Sequence, residues 1–216
     1  MNKKLYLLFF VTVVALSSVT LGENKPKFSW KAYGNVANYF ENENDFISFF
    51  DFHKNDVIAE IGAGHGENMC GFNLITDSVT FYVQDIDTVA LSEANFEKVV
   101  KRCKKSKKPF TNTFYRCIGT EKSSQLPDST FDKIILSATF HEFSFMDEMI
   151  ADIYKKLKPA GQLYILESHC FSETHENYTA DETIEIMKKH NFTLVKKDGK
   201  DLNKSTGLYR MIFKKN

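Results

Sequence analysis

The stretch Val57-Ile58-Ala59-Glu60-Ile61-Gly62-Ala63-Gly64-His65-Gly66 constrains this chain more than any other. Its apolar run (Val57, Ile58, Ala59, Ile61) ends in three glycines at alternate positions, and a helix-compatible segment follows. Strand, glycine turn and helix is how an open α/β sheet begins a nucleotide site. Glycine lets the backbone turn tightly at the strand's carboxyl end and lets a ligand approach where a Cβ would obstruct it. The free N–H groups of the following helix then face that ligand. A dinucleotide fingerprint, G-x-G-x-x-G, needs its third glycine at position 67, which is Glu67. The pattern here is Glu60-x-Gly62-x-Gly64-x-Gly66, with an acid two residues before the first glycine.

Residues 1–22 are set apart from the rest. Lys3 and Lys4 precede an apolar stretch from Leu5 to Val11, continued by Val13 to Leu16, and small and polar residues follow up to Gly22. A charged start, an apolar core and a small-residue end describe a cleavable export signal. The core is short for a spanning helix, which needs roughly twenty apolar residues. An uncleaved anchor is the alternative, and membrane contact is expected through this segment only. With 28 basic and 28 acidic residues, the balance gives no push toward nucleic acid, and none is expected as a partner. Lys101, Arg102, Lys104, Lys105, Lys107 and Lys108 read as a solvated helix end. Four cysteines (Cys70, Cys103, Cys117, Cys170) could pair in an exported chain, but none has metal-site spacing. Buried free thiols are the slightly favoured expectation.

Residues 23–56 form an expected helical cap. Phe28, Trp30, Tyr33, Val36, Tyr39 and Phe40, then Phe46, Phe49, Phe50 and Phe52, recur at three-to-four spacing and predict two short amphipathic helices. They either cover the sheet or form a lid over a site. From Val57 the chain alternates strands and helices. Strands are predicted at Val57–Ile61, Thr80–Gln84, Thr113–Ile118, Ile134–Ala138, Gln162–Glu167, Phe192–Val195 and Leu208–Phe213. Helices are predicted over Glu67–Ile75, Val89–Arg102, Met146–Leu157 and Thr179–His190. Asp85 ends the second strand about twenty residues beyond the glycines, where a ribose-binding carboxylate belongs. Asp87 suits a helix-start cap with Thr88.

Together these motifs carry a resemblance. Glu60-x-Gly62-x-Gly64-x-Gly66, then Leu126-Pro127 with Ser129-x-Phe131-Asp132, then a His-containing loop after an apolar strand, stand in family order. Leu157-Lys158-Pro159-Ala160-Gly161-Gln162-Leu163 is similar to an L-K-P-G-G-x-L turn, with Ala160 replacing the first glycine. The set resembles the class I S-adenosylmethionine (SAM) dependent methyltransferases, with a domain of the type 11/25-like kind over 57–216. The resemblance implies a Rossmann-like, doubly wound, mostly parallel seven-stranded α/β sheet in order 3-2-1-4-5-7-6, closed by a C-terminal antiparallel hairpin. It implies SAM as cofactor and a small-molecule methyl acceptor. It places Glu60, Gly62, Gly64 and Gly66 around the methionine moiety, Asp85 on the ribose and Ile86 against the adenine. Glu121 would stand near the adenine amino group, although Gly119-Thr120-Glu121 departs from the commoner G-D-A.

Ser137 would end strand four beside the methyl group. His141, at the same mouth, is the candidate base for taking a proton from an oxygen or nitrogen nucleophile; packing of its loop is the plainer role. His141, Glu142, Glu167 and His169 all follow strands four and five, but none has ligand spacing on one element, so no metal is expected. Two other readings stand beside a transferase. One is an exported SAM-fold protein that binds ligand without transferring a methyl group. The other is a nicotinamide-dependent oxidoreductase, opposed by Glu67 and the later motifs. Nothing in the sequence sets an oligomeric state or names the acceptor.

Overall fold

The computed structural model describes residues 33–168, 177–200 and 207–216. The export signal expected over 1–22, Phe28, Trp30, His169 and Cys170 lie outside the described residues. Seven strands form one sheet: β1 (Val57–Ile61), β2 (Thr80–Asp85), β3 (Thr113–Ile118), β4 (Phe131–Ser137), β5 (Leu157–Ser168), β6 (Phe192–Lys200) and β7 (Leu208–Lys215). Their order is β3-β2-β1-β4-β5-β7-β6, as expected. The first five run parallel, and β7 pairs antiparallel with both β5 and β6. Crossover helices make this possible: α2 (Asn68–Leu74) and α3 (Glu93–Ser106) join the first three strands, α4 (Met146–Lys156) joins β4 to β5, and α5 (Ala180–Lys189) leads into β6.

The period of two in each strand sorts side chains between two cores. Ala59 and Ile61 of β1, Ile134 and Leu136 of β4, and Leu163 and Ile165 of β5 face one, together with α4 residues Met149, Ile150 and Ile153. The intervening Ile58, Ile135, Tyr164 and Leu166 face the other. There the cap covers a sheet face. It consists of a 3₁₀ turn, Asn35–Tyr39, and helix α1 (Glu43–Phe50). Phe40, Phe46, Phe49 and Phe50 are all fully buried, and pack edge-on or tilted against one another with ring centroids 5.0–5.5 Å apart. Arg210 of β7 fixes the cap's far side, pairing both nitrogens of its fork with Asp45 at 2.8 and 2.9 Å and one with Asp198 at 2.7 Å. A bidentate guanidinium–carboxylate pair specifies orientation as well as energy.

Three expectations are corrected. The second crossover helix spans Glu93–Ser106, four residues later than predicted at each end. Asp87 accepts hydrogen bonds from the N–H groups of Val89 and Ala90, which spends the first residues on a separate turn. Strand β5 already begins at Leu157, because Leu157 pairs with Phe131 before the register shifts to Gln162 with Lys133. The Lys158–Gly161 stretch is a bulged excursion of a strand. Ala160 is exposed there, so its methyl group is tolerated, whereas a Cβ on Gly161 would lie 2.7 Å from the Phe131 carbonyl oxygen. Finally, Cys70 and Cys103 are disulfide-bonded and are not free thiols. Helices α2 and α3 lie side by side and bring these Cα atoms to 5.1 Å across 33 residues of sequence. Cys117 is the one free thiol among the described residues, and burial raises its pKa.

Candidate active site

The carboxyl ends of the parallel strands align, since Ile61 sits opposite both Gln84 and Leu136, and Ser137 opposite Leu166. The loop leaving β1 turns there. Gly62 has φ +73°, and a Cβ built on it would lie 2.1 Å from Cγ2 of Thr139, so only glycine fits. Gly64 has φ +55°, and a Cβ on it would meet nothing within 4 Å. Its backbone faces open space, as a ligand-facing residue must. The Gly64 N–H donates to Oδ2 of Asp85 at 2.6 Å, while Oδ1 of Asp85 accepts from the Asp87 N–H at 2.8 Å. The carboxylate is thus held by the glycine loop on one side and its own turn on the other, with lone pairs remaining for a ligand.

Two cavities meet at Gly62 and Ala138. The first, about 250 Å³, lies beyond β2 and β3 and is lined by Asp85, Ile86, Glu121, Thr139, Phe143 and Met149 among others. Ile86 is 51% exposed, an apolar side chain presented to solvent at the rim. The second, about 430 Å³, runs over the glycine loop, with Gly64, Asn68 and Ser137 on its floor and Asn35, Asn38 and Tyr39 of the 3₁₀ turn as a wall. The cap therefore both covers the sheet and walls the cleft. Neither cavity is lined by a lysine or an arginine among the described residues.

Glu60 lies beneath this floor, 4% exposed. Its Oε1 accepts from Asn68 Nδ2 at 2.7 Å, and Asn68 in turn accepts the Val36 N–H at 2.9 Å, linking strand, helix and cap. Oε2 has no hydrogen-bond partner among the described residues. Burial, opposed by the Asn68 bond and reinforced by the nearby Asp85 charge, raises the Glu60 pKa to about 7. A pKa raised on folding means that the native state holds the proton more tightly. Its stabilising contribution is complete below the unfolded value of about 4.5 and is lost as pH rises through about 7. Glu60→Gln should therefore stabilise the ligand-free protein by about 1–2 kcal/mol at pH 8 and have little effect at pH 4. Denaturant melts of the two proteins check this; a variant less stable than its parent at pH 8 would contradict the assignment.

The loop after β4 carries a short 3₁₀ turn, Phe140–Glu142. Glu167, at the end of β5 and 2% exposed, accepts the Thr139 and Phe140 N–H groups on Oε1 at 2.9 and 2.7 Å. Its Oε2 lies 2.8 Å from Nδ1 of His141, and Oε1 of Glu142 lies 3.1 Å from Nε2. The Glu167 hydrogen bond, opposed by burial and helped by the charges of both carboxylates, raises the His141 pKa.

The structure brings Gly62, Gly64, Asp85, Ile86, Glu121 and Ser137 to the walls of one cleft. Glu60 and His141 sit just behind those walls through Asn68 and through Thr139 and Glu142, and Gly66 packs toward Val83. Sequence reasoning missed Tyr39 as a wall residue and Asn68, Thr139 and Phe143 altogether, and gave Glu167 no role beside His141. None of these carries a spacing signal, because each acts through a neighbour on another element. No group of three metal-ligating side chains occurs among the described residues.

This strand order, with a glycine loop after the central strand and an antiparallel closing hairpin, is the Rossmann-like methyltransferase fold. Residues 59–165 match the family model described as a methyltransferase domain. No curated protein matches the chain in sequence. Among solved structures it is similar to a SAM-dependent methyltransferase from Aquifex aeolicus (TM-score 0.62, 15% identity, 86% of this chain and 92% of that one). It is also similar to an N-methyltransferase of Haemonchus contortus solved with S-adenosylhomocysteine (0.60, 14%, 79% and 51%). The [4+2]-cyclase SpnF shares the fold as well (0.59, 13%, 82% and 86%). At these identities the likeness defines the fold.

Proposed function

We propose that this protein is a SAM-dependent methyltransferase acting on a small-molecule acceptor. The observation that carries the reading is the open face of Gly64 in one cavity, hydrogen-bonded to Asp85 in the adjoining one, inside the segment that matches a methyltransferase domain. The residues present fit the cofactor. Asp85 would hold the ribose hydroxyls, Ile86 would pack on the adenine, and Glu121 would accept from its amino group. The unpartnered buried oxygen of Glu60 would compensate the positive charge of the methionine moiety from below. When bound, SAM supplies an electrophilic methyl group. The chain's own part is to bind and align, exclude water and, at His141, hold a proton taken from the acceptor.

Calorimetry with SAM and S-adenosylhomocysteine, followed by mass spectrometry for transferred methyl groups, tests this. Absence of binding by either ligand overturns it. The alternative, a SAM-fold binding protein without transferase activity, is favoured if both bind and no acceptor is methylated. The cyclase fold neighbour gives that alternative its weight, since one fold hosts different chemistries.

We infer further that the chain is exported. The Cys70–Cys103 disulfide supports this, because such bonds persist in oxidising compartments. Amino-terminal sequencing of native material should begin near Glu23; a retained Met1 would count against cleavage.

A further inference from the structure

One buried carboxylate holds the loop that follows β4. Glu167 Oε1 accepts the N–H groups of Thr139 and Phe140, and Oε2 pairs with Nδ1 of His141, so three consecutive residues hang from a single side chain. Thr139 in turn packs against Gly62, and its single hydroxyl hydrogen lies between the Ser137 carbonyl at 3.1 Å and the Gly62 carbonyl at 3.3 Å. Glu167 thereby ties the first glycine of the cofactor loop to the histidine at the acceptor mouth. It is 2% exposed, and a buried carboxylate persists only where its oxygens are satisfied by donors, as these are.

We propose that Glu167 is a positioning residue: it fixes the tautomer and proton affinity of His141 and holds that ring in register with the glycine loop. The proposal rests on the methyltransferase reading above. A carboxylate is acceptor-only, so Glu167 at Nδ1 and Glu142 at Nε2 each call for a hydrogen, and a neutral ring carries only one. Glu167 is buried and 2.8 Å away, whereas Glu142 is 58% exposed and 3.1 Å away, so the hydrogen stays on Nδ1 and the neutral ring's lone pair on Nε2. Nε2 is then the atom able to take a proton. Among the described residues, the ionisable groups facing this pair include Glu142 on the same turn, Tyr39 from the cap and Tyr209 from β7. Both tyrosines have pKa values raised chiefly by burial and, next, by the Glu167 charge, so they stay neutral while His141 titrates.

Glu167→Gln separates positioning from plain packing. The glutamine keeps the shape and can still accept from Thr139 and Phe140 with its amide oxygen. Its NH₂ group then faces Nδ1, which must become the acceptor and move the ring hydrogen to Nε2. Histidine proton resonances followed against pH should show His141 titrating above its ordinary value of 6.5 in the parent and at or below about 6.5 in the variant. With an acceptor in hand, kcat should fall by about 10²-fold with the SAM dissociation constant little changed. Should the variant fail to fold, the ¹⁵N shifts of His141 in the parent decide, since the neutral ring must be the Nδ1–H tautomer. An unshifted titration in a folded variant, or an Nε2–H tautomer in the parent, overturns the positioning role. Neither readout requires methyl transfer, so failure of the parent to bind SAM is a separate result that overturns the underlying functional reading.

Discussion

His141→Ala is expected to lower turnover by about 10²–10⁴-fold, the range for a lost general base, while SAM affinity barely changes. The asymmetry follows from the geometry. His141 sits on the 3₁₀ turn after β4, behind Thr139 and Glu142, whereas the expected cofactor contacts come chiefly from the loops after β1, β2 and β3, with Ser137 at the end of β4. The pH profile gives a second check. Glu167 and Glu142 stabilise the imidazolium, so the parent's rate should rise with pH through an apparent pKa above the ordinary 6.5. Below that value the ring already carries its proton and cannot accept another.

The same pairing has a consequence for stability with its own sign. A histidine whose pKa is raised on folding contributes stability that is complete below the unfolded pKa and is lost as pH rises through the folded one. The alanine variant should thus be most destabilised in acid. Turnover is best compared on the alkaline plateau of the profile, where this contribution has gone. Equal turnover of parent and variant there would leave His141 as a brace for the loop, with catalysis resting on alignment alone.

Asp85→Ala should weaken SAM binding by about 1.5–3 kcal/mol, or about 10- to 150-fold in dissociation constant. Its carboxylate ends β2, lines the first cavity and is fixed by the N–H groups of Gly64 and Asp87. Its loss removes both the expected ribose contact and the acceptor that holds the glycine loop in place. Asp87→Ala should cost much less in binding. Asp87 spends its Oδ1 on the Val89 and Ala90 N–H groups, and these bonds lower its pKa. It shapes the turn before α3. Calorimetric titration of both variants decides, and equal losses at the two positions, or none at Asp85, would remove the ribose assignment.

Much of the fold was legible because it rests on short-range periodicity. Runs such as Ile134-Ile135-Leu136, short and bounded by turns, suit strands buried on both faces, and Leu163-Tyr164-Ile165-Leu166 repeats the pattern. Element ends were harder to place. They depend on side-chain choices such as Asp87, whose carboxylate serves a local turn, and on the register shift that draws Lys158–Gly161 into β5. The disulfide was missed for a related reason. Cys70 and Cys103 share no motif, and their approach follows from the packing of α2 against α3.

The sequence by itself determined the strand–glycine–helix start and, through its family resemblance, the seven-stranded order; it also picked out Gly62, Gly64, Asp85, Ile86, Glu121 and Ser137, which line the cleft. All of these sit at or just beyond strand ends, and chain order in a parallel α/β sheet dictates that such positions converge. Only the tertiary structure decided that Glu60 is buried with a raised pKa, that Tyr39 walls the cleft, and that Glu167 holds Thr139, Phe140 and His141 together. Desolvation depends on what covers a residue, and a hydrogen bond between the loops of two strands depends on their register. Neither is written in the spacing of residues along one chain.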